Sequence, residues 1–200
     1  TFPNPVIASA EGGLMSLADR NVPYVAITAS EQLEQLKNVF TQPPAVREQM
    51  LGVPAETLVV DTLDEIQKLL IKERNEAQRQ DAFKVQDWGW LGDQLRLIVR
   101  TLRNLEAHVV FTCHLKRVEN QETGTVTYDP LIQGGFCAEL PGYVDLALVL
   151  KARPVAKQVG EETKRVMTRM IQSFPDNSYP WLKDRSGKLP QFFEANLVDD

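Results

Sequence analysis

Leu58-Val59-Val60-Asp61-Thr62 is the stretch from which the fold can be read. It is a short apolar run that ends abruptly in a carboxylate. Such a run suits a strand buried on both faces, the kind found inside a parallel sheet. An acid at its carboxyl end sits on the rim where open α/β sheets bind ligands. Thr62 and Glu65 have capping-box spacing, so a helix is expected to start at once and to run through Leu69 and Leu70. An acid in that place also serves as an ordinary helix cap, so the segment alone leaves both roles open.

Working outward, the N-terminal side offers Val6-Ile7-Ala8-Ser9-Ala10, a strand-like run closing on Glu11-Gly12-Gly13, and a second β-type run from Tyr24 to Thr28. Ser30 is placed to cap a helix carrying Leu33, Leu36, Val39 and Phe40 at helical spacing, which Pro43-Pro44 stops. The segment from there to Pro54 reads as a connector with room for a short helix. On the C-terminal side, Lys72 to Lys84 reads as a solvated helix end and loop. Trp88-Gly89-Trp90 introduces a long amphipathic helix with a stripe of Leu91, Leu95, Ile98, Val99, Leu102 and Leu105. The two tryptophans suit core anchors or, if exposed, a subunit contact.

His108 to Cys113 is a second apolar strand, ending at His114, and Cys113 reads as a small buried hydrophobe. Glu119 to Asp129, with its Thr123-Gly124 turn, reads as an exposed hairpin or loop. Gly134-Gly135 precedes a helix-like piece that Pro141-Gly142 should break. Val144 to Leu150 is expected to be a third buried strand and Lys164 to Ile171 an edge or antiparallel one. Pro175 to Gly187 reads as a polar loop. The expected fold class is α/β: a mostly parallel sheet flanked by helices, with antiparallel strands added near the C-terminus.

Composition narrows the function classes. A hydrophobic content of 43% over 200 residues suits one globular domain with a sizeable core. No apolar run approaches the roughly 20 residues that span a bilayer, and no signal peptide is visible, so no membrane role is expected. Two cysteines suggest no disulfide framework and fit a reducing cytoplasm. Two cysteines and two histidines at these spacings form no zinc pattern. With 22 basic against 27 acidic residues the net charge is −5, which argues against indiscriminate nucleic-acid binding but leaves room for a local basic surface.

A buried strand, an acid at its tip and a helix leaving immediately make up a Walker B arrangement. Glu11, Asp61 and His114, in that chain order at three strand ends, resemble the RecA-like branch of P-loop ATPases, and more closely the phage-encoded RecA-like ATPases of single-strand annealing and recombination. The segments that carry the resemblance are Phe2 to Gly13, Leu58 to Asp61, Val109 to Arg117, Leu140 to Leu150 and Tyr179 to Pro190. The resemblance implies one RecA-like core over residues 1–200, with ATP and Mg²⁺ as cofactors. Glu11 would be the general base, its alternative being a solvated acid before a Gly-Gly turn. Asp61 would organise Mg²⁺ through water, with Thr62 beside it at the nucleotide. His114 would stand where the family places a polar γ-phosphate sensor, its alternative being a strand-end cap.

By the same resemblance the loop after His114 would bind single-stranded DNA, through Lys116 and Arg117 for charge, Gly134 and Gly135 for close approach, and Phe136 for base stacking. An ordinary exposed hairpin is the alternative. Lys183 and Arg185 match a Lys-x-Arg element that completes a neighbouring subunit's ATP site, which implies a homo-oligomeric ring or filament; a solvated turn is the alternative. One departure is large: no Gly-x-x-x-x-Gly-Lys-Ser/Thr occurs. In the family that loop, with its strand and helix, lies just before the Phe2-Pro3-Asn4-Pro5 equivalent, so the expectation is that an upstream segment carries it. Two other readings stay open, a non-catalytic α/β interaction module and a RecA-fold motor of DNA replication or packaging.

Overall fold

Leu58, Val60 and their neighbours do become the centre of a parallel sheet. The computed structural model describes residues 2–159 and 162–195, and only the backbone of residues 16, 18, 157, 159 and 162–164. These residues form two compact units, one of residues 2–116 with 130–139, the other of 117–129 with 140 onward.

In the first unit, β1 (Pro5–Ser9), β2 (Tyr24–Ala26), β3 (Thr57–Asp61) and β4 (His108–Phe111) form a four-stranded sheet in the order β2-β1-β3-β4. All three pairings are parallel, with Ile7 opposite Val59 and Val59 opposite Val110. Their carboxyl ends therefore share one edge. The helices are α1 (Ser30–Phe40), α2 (Pro44–Leu51), α3 (Leu63–Gln78) and α4 (Asp87–Arg103). Their apolar stripes meet the sheet in a core of Val6, Ala8, Leu58 and Val60 with Leu36, Phe40, Leu63, Ile66, Leu95 and Val99, all buried. Each of these Val, Leu, Ile and Phe side chains contributes about 1.5–3 kcal/mol on burial. The expected α/β class holds.

Several boundaries follow from local bonds. Thr62 caps α3 as its spacing predicts, its Oγ1 accepting from the Glu65 N–H at 3.3 Å. Ser30 does not cap α1. Gln32 does that work, its Oε1 accepting from the N–H groups of Thr28 and Ala29 at 2.6 and 2.9 Å, while the Ser30 N–H goes to Glu73 at 2.7 Å. Arg47, on α2 and only 2% exposed, donates to the carbonyls of Phe40, Gln42 and Ala55, which ties the connector between α1 and β3 together. In α4 the buried stripe is Leu91, Leu95, Val99 and Leu102; Ile98 is half-buried, as is Leu105, which lies past the helix end. Trp88 and Trp90 are half-buried too: Trp88 meets Phe83 edge-on and Trp90 lies under Arg74.

Beyond the sheet, β5 (Leu115–Glu119) and β6 (Val126–Pro130) form the expected hairpin, with Gly124 in the left-handed region at φ 68°. Then comes α5 (Phe136–Tyr143), which continues through Pro141-Gly142 because a proline so late in a two-turn helix forfeits a single backbone bond. In the second unit β7 (Leu146–Ala147) pairs antiparallel with β10 (Lys183–Asp184), and β8 (Val149–Val159), β9 (Glu162–Gln172) and β11 (Phe192–Glu194) form an antiparallel sheet in the order β11-β9-β8. The third buried strand expected over Val144 to Leu150 is thus split in two, and Leu150 is 56% exposed. Its apolar run matched a core strand, but its partners are antiparallel and one of its faces is open.

Candidate functional site

The shared carboxyl edge of β1, β3 and β4 brings Glu11, Asp61 and His114 together. The chain leaves β1 by crossing the end of β3: the N–H groups of Ala10 and Glu11 both donate to the Asp61 carbonyl, at 2.7 and 3.3 Å. Gly12, at φ 78°, completes the turn and its N–H reaches Ser9 Oγ at 3.2 Å. Glu11 is therefore held over the tip of β3.

Asp61 is the last residue of β3, and its Oδ1 accepts from Thr112 Oγ1 at 2.6 Å. The chain past β4 is threaded between β3 and α3 by two further bonds, Thr112 N–H to the Val60 carbonyl and Leu63 N–H to the Thr112 carbonyl, at 3.1 and 2.9 Å. The Asp61–Thr62 peptide is cis.

His114 is gripped by Asp64, in the first turn of α3. One carboxylate oxygen accepts the His114 backbone N–H at 3.0 Å and the other meets imidazole Nδ1 at 2.9 Å. The other ring nitrogen, Nε2, then faces Glu11 at 3.7 Å. Asp64 is 1% exposed, so its two hydrogen bonds fix both the main chain and the ring of His114. The hydrogen bond that His114 donates to Asp64 raises the His114 pKa; burial opposes this, and the charges of Asp64, Glu11 and Glu65 add to the rise. For Asp64 burial works against ionisation, but the bonds from His114 and Thr62 outweigh it and hold the carboxyl below its ordinary value.

The edge is thus an acidic rim with a cation-forming ring at its centre. One oxygen of Asp61 is occupied by Thr112, and hard oxygen donors of this kind suit a hydrated divalent cation held through water. Among the described residues no group of three or more His, Cys, Asp or Glu is placed to ligate a metal directly. The sequence contains no Gly-x-x-x-x-Gly-Lys-Ser/Thr to cradle phosphates. A groove of about 250 Å³ between α1, α3 and α4, lined by Leu33, Leu70, Leu97 and Ile98 among others, includes none of these rim residues.

A family profile described as an AAA domain matches residues 1–180. The chain belongs to the AAA domain family. Members are nucleotide-binding ATPases by type. No curated protein matches the chain. No helix among the described residues is long and apolar enough to cross a membrane.

The remaining expected residues of the AAA domain are placed as follows. Lys116 Nζ donates to the Ile132 carbonyl at 2.8 Å, and Arg117 pairs with Glu119 at 2.6 Å. Gly134 and Gly135 are exposed, Gly134 at φ 72°. Phe136 is 1% exposed, so the stacking expected of it does not fit: its ring packs inward, with Arg96 over its face at 5.9 Å. Lys183 and Arg185 belong to the second unit, Lys183 in β10 and Arg185 just after it, where Arg185 pairs with Asp145 at 2.7 Å. Burial lowers the Lys183 pKa, and the nearby Arg185 charge adds to this. Cys113 is half-buried, and its thiol is pushed up to about 12 by that burial.

Three residues carry no distinguishing signal in the sequence. Asp64 looks in sequence like any acid favoured in a first helical turn, Thr112 like a strand residue, and Gln67 like a helix surface position. Gln67 is 3% exposed, and its Oε1 accepts the Gln133 N–H at 2.7 Å, which ties α3 to the base of Gly134-Gly135.

Proposed function

We propose that this AAA domain is a Mg²⁺-dependent ATPase that acts on single-stranded DNA, in the manner of the phage recombination and annealing ATPases it resembles, in the host cytoplasm. The observation that carries the reading is the meeting of Glu11, Asp61 and His114 at one edge of one parallel sheet. Glu11 serves as general base toward the attacking water. Asp61, steadied by Thr112, would hold Mg²⁺ through water, with Thr62 beside it. Mg²⁺, when bound, neutralises charge on the phosphates. His114, oriented by Asp64, donates a hydrogen bond toward the terminal phosphate and reports it to the chain that follows.

Residues 1–200 act in this reading as one RecA-like core served by a phosphate-cradling loop of the same protein. Lys183 and Arg185 supply cations to a neighbouring subunit's site, so the active form is a homo-oligomeric ring or filament. Of the loop residues expected at the DNA, Gly134 and Gly135 are open to it, while Lys116, Arg117 and Phe136 are engaged elsewhere. The test is ATP hydrolysis by the full-length protein with and without single-stranded DNA. Stimulated turnover that needs Mg²⁺ is expected, and mixing Arg185→Ala with Glu11→Gln subunits should restore part of it.

A second reading has one observation in its favour, the absence of a Gly-x-x-x-x-Gly-Lys-Ser/Thr from these residues. It makes the AAA domain a non-catalytic interaction module. Failure of the full-length protein to bind any nucleotide would decide for it. A motor role in replication or packaging would appear instead as turnover stimulated by duplex.

A further inference from the structure

The residues expected to carry DNA on the 115–136 loop are largely spent on partners, yet the second unit holds a set of cations that are not. Residues 149–172, the β8–β9 hairpin, contain six Lys or Arg against two Glu, in a chain whose net charge is −5. Strand alternation and the register of Ala152 opposite Arg169, Pro154 opposite Met167 and Ala156 opposite Arg165 put these six residues on one face. All six are exposed, Met167 by 65%. Among the described residues no carboxylate lies within ion-pair distance of Arg165 or Arg169. On the other face Arg153 lies over the Phe192 ring at 4.5 Å, also without an acidic partner among the described residues.

We propose that the Arg165–Met167–Arg169 face of the β8–β9 hairpin binds single-stranded nucleic acid, which rests on the reading above that the protein acts on such a strand. The two arginines stand four strand residues apart, about 13 Å at 3.3 Å per residue, so they meet different phosphates of one strand. Between them Met167 and the low strip of Ala152, Pro154 and Ala156 offer an apolar surface to base faces. A duplex hides those faces within its stack, whereas an unstacked strand presents them. Addition of a second copy along the strand edge is disfavoured: β8 is the outer strand of β11-β9-β8, and Pro154 denies that edge a donor while Lys151 and Arg153 charge it. An anionic membrane is a poorer match, because the exposed strip has no aromatic side chain to seat among headgroups.

The experiment is a titration of the full-length protein against labelled oligothymidylate and against duplex, over a salt series. The variants are Arg165→Gln with Arg169→Gln, and Arg165→Lys with Arg169→Lys. The wild type is expected to prefer the single strand. The Gln pair should weaken it at least about tenfold and reduce the slope of log affinity against log salt by about 1.4, two phosphates at about 0.7 each. The Lys pair should keep the slope, and single Gln variants should each remove half of the change, which guards against a double variant that folds poorly. A wild type with no affinity for the single strand overturns both this proposal and the DNA reading. Good wild-type affinity with an unaltered slope in the Gln pair overturns the hairpin alone. So does a Gln pair that loses only binding to phosphatidylserine vesicles, or only self-association on gel filtration.

Discussion

The rim of the parallel sheet and the β8–β9 hairpin treat charge in opposite ways. At the rim every ionisable group is committed: Asp64 holds His114 twice, His114 faces Glu11, and Asp61 is bonded to Thr112. On the hairpin, Arg165 and Arg169 stand exposed without an acidic partner among the described residues. Interlocked charges fix geometry, which chemistry at a phosphate requires, because placement there is worth more than raw field strength. Unpaired charges on an open strand face provide attraction without geometry, which suits a long, sequence-indifferent polyanion. The contrast says that substitutions should be coupled at the rim and additive on the hairpin.

The largest expected effect is on turnover. Glu11→Gln in the full-length protein should lower kcat by about 10²–10⁴-fold, the usual contribution of a general base, with nucleotide affinity retained in an equilibrium binding assay. Unimpaired kcat would remove Glu11 from the chemistry. Next, Asp64→Ala should destabilise the first unit by about 1–3 kcal/mol, since it strips a buried acceptor from two donors. Urea unfolding measures this. Combined with Glu11→Gln, its effect on hydrolysis should be far from additive, and simple additivity would break the contrast with the hairpin.

The pH dependence follows from signs. The folded pKa of His114 is raised, so its stabilisation is complete below the ordinary imidazole value and is lost as pH rises through the raised one. Asp64 is lowered, so its contribution is present above the ordinary carboxyl value and lost as pH falls through the depressed one. Tm of wild type and His114→Gln should therefore differ most in mildly acidic buffer and converge in alkaline buffer. Parallel curves would show that the ring does not titrate in this setting. The smallest effect belongs to Arg117→Gln, which removes an exposed pair worth about 0–1 kcal/mol. It should leave the salt slope of oligothymidylate binding as in the wild type, and a drop in that slope would return DNA contact to the 115–136 loop.

Much was legible because it is local or periodic. Leu58 to Asp61 could hardly be other than a buried strand with an acid at its tip, Thr62 and Glu65 announce the start of α3, and the Leu91–Leu95–Val99–Leu102 spacing announces one face of α4. Thr123-Gly124 marks the hairpin turn. The apolar run at Val144 to Leu150 misled because hydrophobicity reports burial somewhere, and not which strand lies alongside. Ser30 misled because the helix begins on it and leaves Ala29 at the cap position, where Gln32 reaches back to the Thr28 and Ala29 N–H groups.

Sequence by itself determined the α/β class, the three strand ends that carry Glu11, Asp61 and His114, and the excess of basic residues over 149–172. Only the tertiary structure decided that Asp64, 50 positions before His114, would orient it, and that Phe136 would turn inward while Arg165 and Arg169 stayed open. Periodicity and propensity act over a few residues, whereas a hydrogen bond between distant positions exists only once the sheet register has set which chain ends share an edge.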